Sequence, residues 1–250
     1  MSETWRPPPD AFVLPPGVIH LWRASLARSA ETRQRLAQFL APDELARASR
    51  FYFERDRQAY VVGRGLLRWL NGRYLSIPPS DIQFSSSSYG KPALAQGGDW
   101  QFNLAHSQGK LLVGFCRGAP IGVDIEQIRL PDEADALAQH YFSAAETAVF
   151  RQLPPAQRAE AFFNCWTRKE AYIKAIGEGL SCPLHSFDVT LRPGEPARLL
   201  RVAANAGAAT AWTMTSLSPF PGYRGAALAA GQGWQMACWD GDLLAQDFCG

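Results

Sequence analysis

Long helical periodicities alternate along this chain with short runs rich in apolar and β-branched residues. The run GVIHLWRASL, from residue 17, predicts a strand. Residues 41–75, APDELARASRFYFERDRQAYVVGRGLLRWLNGRYL, predict a helix, with Pro42 and Asp43 suited to its first turn. DIQFSSSSYGKPAL and FNLAHSQG each read as strand then turn, KLLVGFCRG as a strand, and GVDIEQI follows. Ser143 and Glu146, in SAAE, have the spacing of a capping box that opens a further helix. A second long helix is predicted over 157–177, and SFDVTL, AWTMTSL and RGAALAA are strands.

The two halves repeat an order of elements. AYVVGRGLL…YLSIPPSDIQF, residues 59–84, has a counterpart in AYIKAIGEGLSCPLHSFDV, residues 171–189: helix, Leu-Ser, a proline-containing turn, then a strand. Long helices against antiparallel strands make the expected class α+β. The expected arrangement is two similar lobes related by a pseudo-two-fold, each an antiparallel sheet packed with a long helix. The lobes divide at Ala119–Pro120 into 17–119 and 120–250, behind a poorly ordered lead-in, 1–16, that carries Pro7, Pro8 and Pro9. A seam between lobes is a preferred place for a ligand.

Within GVDIEQI, residues 122–128, Val123 and Ile125 share one face of the strand while Asp124 and Glu126 share the other. Two like charges that close repel, more so if buried, so this face is either wet or holds a cation. The helix around 161–180 departs from its own pattern in a similar way. Phe162, Phe163, Trp166, Ile173 and Ile176 form one stripe, yet Lys169 and Glu170 fall inside the same arc and Lys174 lies at its rim. Charge there is costly unless it is paired or bound to an ion. Glu170 and Lys174 are i, i+4 neighbours, so one reading is a structural ion pair at a lobe interface. The other reading groups Glu170 with Asp124 and Glu126. Three carboxylates without His or Cys suit a hard, oxygen-liganded ion such as Mg²⁺, with water and substrate phosphate completing its shell. Arg47 and Arg50 on the first helix, Lys91 in YGKP and His106 after FNLA are basic groups for such a phosphate, although each alone also has a structural explanation.

Composition narrows the partners. The 250 residues are 47% hydrophobic and 19% charged, ordinary for one large domain or two small ones. A net charge of +2 gives no argument for nucleic acid. Five cysteines without a C-x-x-C suit reduced thiols in a cytoplasm better than disulfides or a zinc site. The first residues lack the basic and apolar regions of a signal peptide. No apolar run approaches membrane-spanning length, so a cytoplasmic chain without membrane partners is expected.

GVDIE followed by WTRKEAYIKAIGEGL resembles the 4′-phosphopantetheinyl transferases, whose hallmark is G-[IV]-D-[IV]-E and then W-x-x-K-E-[AS]-x-x-K. RFYFERDRQAY, YGKPAL, FNLAHS and SFDV stand in family order around these motifs. The length and doubled architecture are similar to the larger single-chain class, the type that activates surfactin synthetase, and imply a monomer. The resemblance implies that coenzyme A binds between the lobes. A serine of an apo acyl or peptidyl carrier protein then attacks the phosphorus bearing the pantetheine arm and releases adenosine 3′,5′-bisphosphate. It implies Asp124, Glu126 and Glu170 as Mg²⁺ ligands, Glu170 also as the base, directly or through a water, and Lys174 as the cation beside the leaving group. Arg47, Lys91 and His106 match positions that contact the nucleotide and its 3′-phosphate, and Lys169 matches one that serves phosphate contact or orientation. Two departures stand out: Ala105 where the family often has Ser, and Glu44 where some members carry a base, which shifts nucleotide grip toward Arg47, Arg50 and Lys91. An Mg²⁺-dependent phosphodiesterase and a non-catalytic coenzyme A-binding module are the rival readings, and the retained acids speak against the second.

Overall fold

Two helices of 22 residues, one in each half, organise the chain around two sheets. The computed structural model describes residues 3–87, 89–95, 97–203 and 207–244. In chain order the elements are β1 (Trp5–Arg6), β2 (Val18–Ser25), α1 (Ala30–Ala37), α2 (Pro42–Ala48), α3 (Glu54–Leu75), β3 (Phe84–Ser86), β4 (Pro92–Leu94), β5 (Trp100–Ser107), β6 (Lys110–Arg117) and β7 (Ile121–Gln127). They continue as α4 (Ala134–Tyr141), α5 (Ala144–Gln152), α6 (Pro155–Ile176), β8 (Phe187–Val189), β9 (Leu199–Val202), β10 (Trp212–Leu217), β11 (Tyr223–Ala230) and β12 (Gln235–Asp240). The class is α+β, as the mixture of long helices and antiparallel strands predicts.

One sheet runs β1-β12-β2-β6-β5 and the other β10-β11-β7, with two hairpins, β3-β4 and β8-β9. The order β2-β6-β5 recurs as β7-β11-β10, all antiparallel. In sequence, α3 precedes the first hairpin as α6 precedes the second. α3 buries Val62, Leu66, Leu67 and Leu70 against Trp22, Val113 and Phe115 of the first sheet. α6 buries Phe162, Cys165 and Ile173 with Ala226 and Leu228 of the second. A third cluster, including Leu21, Leu112, Ile121, Val123, Ile125 and Ala227, fills the space between the sheets, so β7 is covered on both faces.

Three expectations change. The helix predicted over 41–75 is two helices: α2 ends after Ala48 and the chain restarts at Glu54, with Phe53 extended at φ −94 and ψ 130. The charges mark the break, because Arg47 lies in the last turn of α2 while Glu54 and Asp56 lie in the first turn of α3, each matching its end of the helix dipole. The lead-in expected to be poorly ordered is seated: Trp5 and Arg6 pair with β12, Phe12 stacks on Trp22 at 5.5 Å between centroids, and Leu14 is buried. Apolar side chains on either side of Pro7–Pro9, Trp5 before them and Phe12 and Leu14 after, hold it. Finally, β12 lies within the stretch expected as the C-terminal lobe, yet it returns to the first sheet and pairs parallel with β2.

Candidate active site

Gly122 brings strand and helix together. A Cβ there would stand 2.0 Å from the Ala171 carbonyl oxygen, so only glycine lets β7 lie this close to α6. Two residues on, the same face carries Asp124 into that contact. Val123 and Ile125 turn the other way, into the core between the sheets, and the Val123 N–H donates to Asn103 Oδ1 at 2.9 Å. Asp124 is buried. Its Oδ1 accepts from Lys174 Nζ at 2.6 Å, and its Oδ2 is buried with no hydrogen-bond partner among the described residues. Glu126 is half-buried, and its Oε2 accepts from the Ser107 hydroxyl at 2.5 Å. Glu170, also half-buried, lies one turn before Lys174 on α6. The i, i+4 ion pair that the spacing allowed is not made: Lys174 reaches across to the strand instead.

The electrostatics describe a shortage of positive charge. Burial, together with the charges of Glu126 and Glu170, pushes Asp124 up to about 7 against the opposing pull of Lys174. Burial raises Glu170 as well, with Lys174 opposing and Glu126 adding to the rise. Burial alone would lower Lys174, but Asp124, Glu170 and Glu126 outweigh it and hold the ammonium more firmly protonated. These shifts agree in sign: the site retains protons because one lysine faces three carboxylates. His106, at the end of β5, is held below its ordinary value by desolvation and by the Lys174 charge, with Glu126 opposing, which puts it beside the same group.

Lys91 borders this cluster. Its Nζ donates to the carbonyls of Ile121 and Ala175, each at 3.0 Å, tying the start of β7 to the last turn of α6. Burial lowers its pKa to about 8. Beyond it α6 stops at Gly177, whose φ of 75 is the left-handed conformation of a helix C-terminus. A cavity of about 220 Å³ lined by Tyr89, Lys91, Asn103, Leu104, Ile173 and Lys174 opens here, and a second of about 340 Å³ adjoins it through Lys91 and Gly177. Both take residues from each half of the chain. Arg47 and Arg50 stand apart from the acids, exposed on the wall of an open pocket of about 650 Å³ with Asp43 and Phe51. Arg47 lies over the Tyr60 ring at 5.4 Å.

One expectation narrows, and the two departures from the family pattern find their place in the core. Lys169, expected to serve phosphate contact or orientation, is fully buried on the side of α6 away from the acids, which leaves it no phosphate contact. It pairs with Glu146 at 2.8 Å and donates to the carbonyls of Leu184 and Phe187, so its three N–H groups are all engaged within the core. Glu44 is buried beneath Arg64 and Arg68 and also accepts from the Ala41 N–H, so its charge is already paired. Ala105 lies buried between the sheets, where a serine hydroxyl would need a partner. Sequence reasoning did not single out Ser107, although it directly follows His106 on β5 and the alternation of a strand gives the two different faces.

Oxygen donors alone, with a deficit of positive charge and an unpartnered buried carboxylate oxygen, fit a hard divalent cation. As the side chains stand, no three of the described His, Cys, Asp and Glu residues converge on a point that would hold one. Lys174 occupies Asp124 in their place.

Comparison with known proteins adds a family. The model of the 4′-phosphopantetheinyl transferase superfamily matches residues 120–230, and that of the 4′-phosphopantetheinyl transferase N-terminal region matches residues 22–115. The 4′-phosphopantetheinyl transferase HetI of Nostoc sp. is 38% identical over 243 residues, covering 96% of this chain and 99% of that protein. Sfp of Bacillus subtilis is 34% identical over 163 residues, 65% of this chain and 71% of that one. The psf-1 transferase of Bacillus pumilus is 38% identical over 159 residues, covering 63% of this chain and 66% of that one. A likeness to HetI that runs almost end to end in both proteins, with both halves matched separately, leaves one conclusion: the chain belongs to the 4′-phosphopantetheinyl transferase superfamily, in its larger, Sfp-type class.

Proposed function

We propose that this chain transfers the 4′-phosphopantetheine arm of coenzyme A to a serine of an apo acyl or peptidyl carrier protein, with Mg²⁺, releasing adenosine 3′,5′-bisphosphate. The observation that carries the metal dependence is the buried, unpartnered Oδ2 of Asp124 in a group of three carboxylates around one lysine. Asp124, Glu126 and Glu170 would hold the ion, which when bound supplies charge neutralisation on the diphosphate. Glu170, whose pKa burial raises, takes the serine proton, directly or through a water, as the serine oxygen bonds to phosphorus. The bridging oxygen leaves with the nucleotide, and Lys174 stabilises the charge that develops on it. Lys91, with two of its three N–H groups on carbonyls, has one left for substrate.

Arg47, Arg50, Lys91 and His106 are assigned to the nucleotide and its 3′-phosphate. The repeated strand order supports two lobes, 17–119 and 120–250, related by a pseudo-two-fold, with β12 passing back to the first, and with coenzyme A in their seam. The same reading takes the chain as a monomer of the cytoplasm. The four cysteines among the described residues are free, which suits that compartment, and no helix among the described residues is long and apolar enough to cross a membrane.

The test is incubation with coenzyme A and Mg²⁺, with and without apo carrier protein, read by mass spectrometry of the carrier. Gain of one phosphopantetheine on its serine is the expected result. Release of free phosphopantetheine without any carrier would instead mark a phosphodiesterase and overturn the transfer.

A further inference from the structure

The end of β5 and the turn after it bring the first half of the chain up to the acids. Gln108 and Gly109 join β5 to β6, and both have positive φ, 43 and 75, as a two-residue hairpin of the favoured twist requires. Glutamine pays for that conformation with strain that glycine avoids, so something must hold it. The holder is on the second sheet: the hydroxyl of Tyr223, a buried residue of β11, donates to the Gln108 carbonyl at 3.0 Å. Tyr223 stands opposite Gln127 in the β11–β7 register, next to the strand position that carries Glu126. With the turn fixed there, the Ser107 hydroxyl donates to Glu126 Oε2 at 2.5 Å. Two bonds therefore cross from one sheet to the other within three residues of β5 and its turn, and one ends on a carboxylate of the site.

We propose that Ser107 is a positioning residue for Glu126: the turn, locked by Tyr223, holds its hydroxyl against one carboxylate oxygen and so presents the other to the divalent ion. This rests on the assignment of Asp124, Glu126 and Glu170 to that ion. The chemistry is that of an outer hydrogen bond to a metal-bound carboxylate, which restricts its rotation and is worth roughly 10–100-fold in metal affinity. It also gives the β5–β6 turn a purpose in the second half's site, since the hydroxyl comes from the other sheet.

The experiment measures Mn²⁺ binding by electron paramagnetic resonance in the presence of coenzyme A and the absence of any carrier, beside the Mg²⁺ dependence of transfer. Ser107→Ala should weaken Mn²⁺ binding roughly tenfold or more. It should raise the half-saturating Mg²⁺ by a similar factor at unchanged melting temperature, with turnover recovering as Mg²⁺ is raised. Ser107→Thr keeps the hydroxyl and should restore both. Tyr223→Phe, which loses only the bond to Gln108, should shift both in the same direction by less, and gives a second reading should Ser107→Ala fold poorly. Glu126→Gln separates the two layers of the argument. If it abolishes Mn²⁺ binding while Ser107→Ala and Tyr223→Phe bind as wild type, the positioning role is wrong and the metal assignment stands. If Glu126→Gln also binds as wild type, the metal assignment falls and the positioning role with it.

Discussion

Asp124 carries an ionisation cost that a metal-free chain cannot avoid. Its pKa rises from the ordinary 3.8 to about 7 on folding, so the folded chain keeps a proton that the unfolded chain releases across that interval. Stability from this group is therefore complete below about pH 4 and is lost as pH rises through about 7. Glu170, also raised, adds the same sign; His106, lowered, adds the opposite one near its ordinary value. Denaturation of metal-free wild type and Asp124→Asn between pH 5 and 7.5 isolates the Asp124 contribution, since the others are common to both. Wild type should lose stability relative to the variant as pH rises, and Mg²⁺ with coenzyme A should offset the loss because the ion binds the ionised acids. Parallel pH profiles would mean that Asp124 is ionised throughout. Glu170→Gln tests the base: turnover should fall by about 10²-fold or more, while the melting temperature without metal holds or rises as one crowded charge disappears. A destabilised but active variant would return Glu170 to a structural role. Alternation along GVDIEQI was enough to put both acids on one face, whereas the cation beside them comes from α6 and depends on how close Gly122 lets that helix approach.

α6 is used on two sides, and periodicity saw only one stripe. Lys169 and Glu170 are adjacent in sequence and serve different neighbours: Glu170 faces β7, while Lys169 joins α6 to Glu146 of α5 and to the carbonyls of Leu184 and Phe187. Glu146 in turn accepts from the N–H groups of Ser143 and Val189, so one ion pair links α5, α6 and β8. The capping box at Ser143 and Glu146 was legible in the sequence, and the structure contains it. That the same glutamate is also the partner of Lys169 was not legible, because only tertiary packing brings them together. Lys169→Met should leave the Glu146 charge buried and unpaired, costing about 3–5 kcal/mol of stability. The KM for coenzyme A of the folded variant should stay near wild type. Adding Glu146→Gln should recover part of the lost stability. A normal melting temperature with a raised KM would restore Lys169 to the phosphate.

At the scale of the whole molecule, the two long helices, α5 and most strands were readable because amphipathic periodicity and capping are local signals, whereas α1, α4, β1, β9 and β12 were not. The β12 sequence, QMACWD, has an exposed Met236 and a buried Cys238 but no sustained alternation, and its strand conformation follows from lying between β1 and β2. That pairing makes the last strand part of the first sheet's stability. Six residues of β12 run parallel to Val18–Arg23, Asp240 pairs with Arg23 at 2.6 Å, Asp242 with Arg28 at 2.7 Å, and Leu244 is buried in the core that α3 covers. Ending the chain after Trp234 should therefore damage the half that the deleted residues do not belong to in sequence. Hydrogen exchange should show the largest loss of protection in β2 and β6, with β7, β11 and α6 losing less. The site draws on β5, β7 and α6 and on no residue of β12, so Mn²⁺ binding with coenzyme A should survive at temperatures where the truncated chain is still folded. The bared β2 edge, with the apolar run VIHLW behind it, should also make that chain associate, because an unpaired edge strand templates further pairing. A truncated chain that stays monomeric, with wild-type melting and full protection in β2, would show that the first sheet stands without its returning strand.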